Sequence, residues 1–176
     1  MTEYFDVVDE NDRVIGRASR DECHKKGLMH RAIYIIVINS KKEILLQKRS
    51  MKKDLHPGLW TTSVSGHVDS GESYEEAAHR EMKEEIGATG KLSEILAFSF
   101  KDISIKDRCD YEMKKIFSTK NEGPFKPDKE ELDKVEFFSC KKIVEMMANG
   151  IVTPPSVEVM KRILQSQKLL KRLGLS

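Results

Sequence analysis

The sequence predicts an α/β fold, a mixed β-sheet flanked by helices. Strand-like segments outnumber helical ones, and the one strongly signalled internal helix lies between strands. The 176 residues suffice for one compact domain with a real core and are too few for two comfortable ones, so a single domain over 1–176 is expected.

The elements follow in chain order. "YFDVVD" and "RVIGRAS" flank the polar "END" and read as an N-terminal hairpin, part of an extension over about 1–30. "RDECHKKG" reads as a short helix with Asp21 as N-cap and Gly27 as stop. "RAIYIIVI" and "EILLQKR", joined by "NSKK", form a buried hairpin with a basic exit. "LWTTSV" is one further strand, entered through the turn "HPG". A helix follows: Ser73 and Glu76 make a capping box, and Ile86-Gly87 a stop. "ILAFSFK" and "YEMKKIFS" are strand-like around a charged loop at 102–110, and "VEFFS" is a short strand after a proline-punctuated loop. "CKKIVEMMAN" is a helix ended by Gly150, and Ser156 caps a C-terminal amphipathic helix over about 156–172. That last helix offers a homodimer surface or, equally, a face that packs on its own sheet.

Composition narrows the function class. Charged residues at 34% and hydrophobic ones at 39% are ordinary for a globular protein. A formal net charge of +2 gives no argument for a nucleic-acid partner, although local basic patches remain. The longest apolar run, "AIYIIVI" at 32–38, falls far short of a membrane span, and the acidic N-terminus lacks a signal-peptide layout. Cys23, Cys109 and Cys140 are odd in number and widely spaced, which fits reduced thiols in a cytoplasmic setting.

The internal helix carries the chemical signal. Ala78, Met82 and Ile86 recur every four residues as an apolar stripe, and Glu81, Glu84 and Glu85 crowd a neighbouring face. Each like-charged pair at this spacing costs a helix roughly 0.2–0.5 kcal/mol, and the negative end of the dipole adds to the cost. A solvated acidic face relieved by Arg80 and Lys83 is one account. The other is a hard divalent cation, Mg²⁺ or Mn²⁺, which seeks clustered oxygen ligands. Gly66, Glu72, Arg80, Glu81, Met82, Glu84, Glu85 and Gly87 stand in a long fixed-spacing pattern that favours the cation.

That pattern resembles the Nudix box, with the small Ala88 at the last aliphatic position as a weak departure. The resemblance implies an α/β/α sandwich with a mixed sheet, and cleavage of a diphosphate linked to another moiety. It implies a small-molecule diphosphate substrate and Mg²⁺ (or Mn²⁺) held by Glu81, Glu84 and Glu85 with the Gly66 carbonyl. Arg80 and Glu72 would orient the helix. Glu81, Glu84 or the more distant Glu131 would act as general base.

A closer resemblance, to type I isopentenyl-diphosphate isomerase of the same superfamily, rests on "LMHRAIYIIVIN", "LLQKR", "HPGLWTTSVSGH" and "GES". It implies that Arg49 and Lys53 grip diphosphate. It also implies a second metal site from His24, His30, His67, Asp110 and Glu112. Trp60 would stack on a base or serve as core. Ser65 is the decisive departure, because it stands where the isomerase has its catalytic cysteine. A hydroxyl donates a proton far less readily than a thiol. Hydrolysis is therefore expected, with isomerisation or a non-catalytic nucleotide-binding module as the alternatives.

Overall fold

A computed structural model of the chain describes residues 2–53, 55–104 and 108–176. Its centre is β3 (His30–Ile38), nine residues that are almost entirely buried. β3 runs parallel to β8 (Asp110–Lys120) from His30↔Glu112 to Ile38↔Lys120. On its other edge it pairs antiparallel with β6 (Val64–His67). β1 (Tyr4–Val8) joins one end of β3 and β4 (Ile44–Arg49) the other. β2 (Val14–Ser19) lies outside β1, β7 (Ser93–Asp102) outside β8, and both β5 (Trp60–Thr61) and β9 (Leu132–Phe138) pair with β4. The sheet is mixed, as the sequence predicts.

Alternation along β3 feeds two cores, because successive side chains leave opposite faces. Ile33, Ile35 and Val37 pack under α2 (Tyr74–Ile86) with Ala77, Ala78, Met82 and Ile86. Ala32, Tyr34, Ile36 and Ile38 pack against α3 (Cys140–Ala148) and α4 (Pro154–Leu164) through Ile143, Met146, Val159, Met160 and Ile163. The result is a helix, sheet, helix sandwich. The capping box of α2 is complete, and Gly87 ends the helix at φ 63°.

Three local expectations are corrected. The short helix α1 (Arg20–Lys26) is capped by Ser19, whose hydroxyl accepts from Glu22 N; Asp21 sits in the first turn and pairs with Lys25. "LWTTSV" is two strands, because the chain changes partner from β4 to β3 at Thr62–Ser63. The Ser63 hydroxyl spans the gap, accepting from Val37 N at 2.8 Å and donating to the Leu45 carbonyl at 2.6 Å. Gly150 ends α3 as expected, at φ 69° directly after the C-cap Asn149. The C-terminal helix starts at Pro154 behind Thr153 and breaks at 165–166, where Ser166 caps α5 (Gln167–Leu173). Proline suits the first helical turn, where its missing N–H has no intrahelical partner. Ser156 is instead fully buried, bonded to Thr61 and to Thr62 N. Part of the charged loop expected at 102–110 lies outside the described residues.

Candidate active site

A cavity of about 500 Å³ opens where α2, β6, the ends of β3 and β8, and the loops before β5 and β9 converge. Arg49, Lys53, Ser65, Gly66, His67, Arg80, Glu81, Glu84, Glu85, Asp110, Glu112 and Glu131 all line it.

On the helix side, one guanidinium organises the carboxylates. Arg80 meets Glu72 through two parallel bonds, Nε to Oε1 at 2.9 Å and a terminal nitrogen to Oε2 at 2.8 Å. It also donates to Glu81 at 2.6 Å, to Glu84 at 3.4 Å and to the His67 carbonyl at 3.0 Å. Glu85 is buried and accepts from Ser65 N and Gln47 Nε2, both at 3.1 Å. Three carboxylates thus share the Arg80 cation, and the fourth, Glu85, is held by neutral donors. Burial, reinforced by neighbouring carboxylates, pushes Glu81 up to about 7 and Glu85 up to about 8. Burial opposes the bond to Glu72, yet the Arg80 guanidinium is raised further above its ordinary range. Gly66 is required by contact: a Cβ there would lie 2.2 Å from Glu81 Cδ. Such a charge deficit beside a backbone cradle is the setting in which a hard divalent cation binds oxygen ligands.

Opposite α2 cluster His24, His30, His67 and Asp110, whose ligand atoms lie within 4.8 Å of one another; His67 and Asp110 line the cavity, and His24 and His30 do not. Strand register assembles part of this group, since His30 pairs with Glu112 and Ala32 with His67. His24 comes from α1, and β1 supplies Phe5, which stacks on His67 at 4.6 Å and on His30 at 5.2 Å. The N-terminal hairpin is therefore a wall of the site. His30 Nδ1 bonds the Leu28 carbonyl at 2.9 Å; a carbonyl only accepts, so Nδ1 carries the proton and Nε2 presents a lone pair. That Nε2, His24 Nε2, His67 Nε2 and Asp110 Oδ1 are buried without hydrogen-bond partners. Burial lowers the imidazolium character of His30 and pushes that of His67 well below its ordinary value. Buried imidazole nitrogens aimed at a carboxylate oxygen with no hydrogen-bond partner are a donor set that fits a bound cation. Glu112 lies beside the group, with Oε1 3.7 Å from His67 Nε2.

The remaining expectations divide. Arg49 donates from Nε to the Leu55 carbonyl at 3.0 Å, and Lys53 is paired with Glu131 across the cavity. Trp60 requires a correction to the stacking expectation. It is 9% exposed, lies edge-on to Phe138 at 5.0 Å within the α3–α4 core, and is absent from the cavity wall. Sequence reasoning missed Gln47, Tyr34, Asp128 and Lys114. For Gln47 and Lys114 a signal existed: Gln47 directly follows the apolar run Ile44–Leu46, and Lys114 alternates with Ile116 on the buried face of its strand. Asp128 lines the cavity from a loop and carries no such signal.

The family described as NUDIX domain matches residues 28–160. An uncharacterized Nudix hydrolase of Yersinia pestis is 39% identical over 136 residues, 77% of this chain and 72% of that relative. An isopentenyl-diphosphate Delta-isomerase 2 of Photorhabdus laumondii is 39% identical over 117 residues, 66% of each. A crystal structure from Deinococcus radiodurans superposes with a TM-score of 0.78 at 23% identity, covering 91% of this chain and 98% of that one, a likeness of fold.

Proposed function

The chain belongs to the Nudix family as a Nudix hydrolase, and on that premise we propose that it cleaves a diphosphate linkage in a nucleoside diphosphate derivative or related small molecule, using Mg²⁺ or Mn²⁺. The observation that supports this reading is the Gly66 cradle, where half-buried Glu81 and buried Glu85 meet less positive charge than their own. Glu81, Glu84, Glu85 and the Gly66 carbonyl are the groups that would hold the ion. Bound there, it would neutralise diphosphate oxygens and acidify the attacking water.

The chain's own residues do the rest. Arg80 fixes Glu81 from one side and the strand end from the other, through the His67 carbonyl. Ser65 N–H and Gln47 hold Glu85. Arg49 and Lys53 give the cavity its positive charge for phosphate oxygens, and Lys53 engages substrate by exchanging Glu131 for it. The water's proton passes to a cavity carboxylate, Glu81, Glu84 or the released Glu131. His24, His30, His67 and Asp110 form a second metal centre. Isomerisation finds no thiol to serve it, since Cys23, Cys109 and Cys140 all lie outside the cavity wall.

The test incubates the protein and Mg²⁺ with nucleoside di- and triphosphates, nucleotide sugars and isopentenyl diphosphate, following phosphate release and alkene position. Release of phosphate or nucleoside monophosphate is expected. A shifted alkene with no released phosphate overturns the reading in favour of isomerisation. Tight binding without turnover makes the protein a sensor.

A further inference from the structure

An ion pair lies directly behind the histidine cluster. Lys114 is fully buried, its Nζ 2.6 Å from Glu112 Oε2. The ammonium also donates to the Tyr34 hydroxyl at 2.9 Å and sits over the rings of Tyr34 at 4.3 Å and Phe100 at 5.2 Å. Tyr34 in turn donates to Glu112 Oε2 at 3.0 Å. Both donors converge on the oxygen of Glu112 that faces away from the histidines. Stability does not explain such a pair, because apolar residues of similar volume are often as good or better in its place.

The cluster itself supplies the explanation. His24 Nε2 and His30 Nε2 stand 3.4 and 3.5 Å from Asp110 Oδ1. Four donors placed about 2.0–2.1 Å from one ion in a tetrahedron are about 3.3–3.4 Å apart. Two contacts to Asp110 thus stand near tetrahedral spacing, all three imidazole nitrogens and the carboxylate oxygen lie within 4.8 Å of one another, and Glu112 is not in that set. A glutamate free to advance would add one or two oxygens and suit a five- or six-coordinate ion.

We propose that Lys114 sets the coordination number of the histidine centre at four. By anchoring the far oxygen of Glu112 it withholds the extra donor and reserves the centre for a zinc-like ion, while the α2 glutamates keep a hard cation of their own. The proposal rests on reading the cluster as a metal centre. Lys114 touches no ligand of the ion and acts through Glu112 alone, so it is a positioning residue.

Co²⁺ reports the difference, because its visible absorption is intense in a tetrahedral field and weak with more ligands. The full chain is stripped of metal, given excess Mg²⁺ to fill the glutamate side, and titrated with Co²⁺. One equivalent should bind with intense absorption that Zn²⁺ abolishes and Mg²⁺ does not. Lys114→Met should weaken that absorption about tenfold as Glu112 joins the ion. Lys114→Met combined with Glu112→Gln should restore it, and Glu112→Gln alone should leave it unchanged. The double variant removes both charges and folds even where the single one does not. A weak wild-type spectrum, or loss of intensity in Glu112→Gln, overturns the role of Lys114. Wild-type protein that binds no Co²⁺ overturns the metal centre as well, and phosphate release in the hydrolase assay then stands or falls separately.

Discussion

The two sides of the site, each proposed to hold a cation, satisfy their ligand groups by opposite means. The α2 wall offers only oxygens and keeps them partly satisfied, with Arg80 serving three glutamates and Ser65 and Gln47 serving the fourth. The β3–β8 side offers mainly nitrogens, and its four inward atoms have no hydrogen-bond partner. A partly satisfied carboxylate set can release and rebind an ion during turnover. An unpartnered buried set is costly when empty, which suits an ion that stays. Under the proposed reading, the difference would separate a working metal site from a resident one.

The largest effect should come from the working side. Glu84→Gln or Glu85→Gln should lower kcat by about 10²–10⁴-fold with the melting temperature little changed. In the same proteins, metal analysis should find the histidine centre loaded. His67→Ala should reverse the pattern, weakening Zn²⁺ binding by about 100-fold or more in equilibrium dialysis. If His67→Ala instead removed Mg²⁺ dependence from hydrolysis, the two walls would be one centre.

Next in size is Gly66→Ala. The added methyl overlaps Glu81 and must displace it, so activity should fall by about 100-fold and stability by about 1–3 kcal/mol. Full activity in this variant would mean that Glu81 is not held in place by the cradle.

The third prediction concerns pH. Glu85 has its carboxyl raised to about 8, well above the ordinary value of 4.5, so the metal-free fold favours the neutral form. The stabilisation this brings is complete below about pH 4.5 and is lost as pH rises through about 8. Metal-free protein should therefore melt progressively lower between those values, by roughly 5 °C or more. Mg²⁺ should restore most at the alkaline end, and Glu85→Gln should flatten the slope. A flat profile in the unaltered protein would remove the charge deficit from the comparison. Smallest in its effect on catalysis is Trp60→Phe, which should cost about 1–2 kcal/mol of stability while leaving KM unchanged. A raised KM would return the indole to the substrate.

The α2 wall was legible because it is contiguous: a cap, a stripe, a stop and the carboxylates between them lie within one short stretch. The histidine wall joins residues more than eighty positions apart, and only strand register shows that His30, His67 and Glu112 stand side by side. Trp60 misled because an indole flanked by strand residues has the same sequence pattern whether it faces a core or a ligand. The break between β5 and β6 was illegible for a different reason. A single serine hydroxyl stands in for main-chain pairing there, and no periodicity records that. Lys114 and Gln47 showed polarity where the alternation called for apolar residues, and both turned out to serve acids of the site.

The tie between α4 and the strand leading to Gly66 has a practical outcome for anyone shortening this chain. Ser156 grips Thr61 and Thr62, and Thr153 and Pro155 contribute to the cavity rim. The family match stops at residue 160, inside α4, before Ile163 and Leu173 have entered the core. Scissors applied at that boundary would leave a frayed stub gripping the rim, and the catalytic opening would slacken although every glutamate remained.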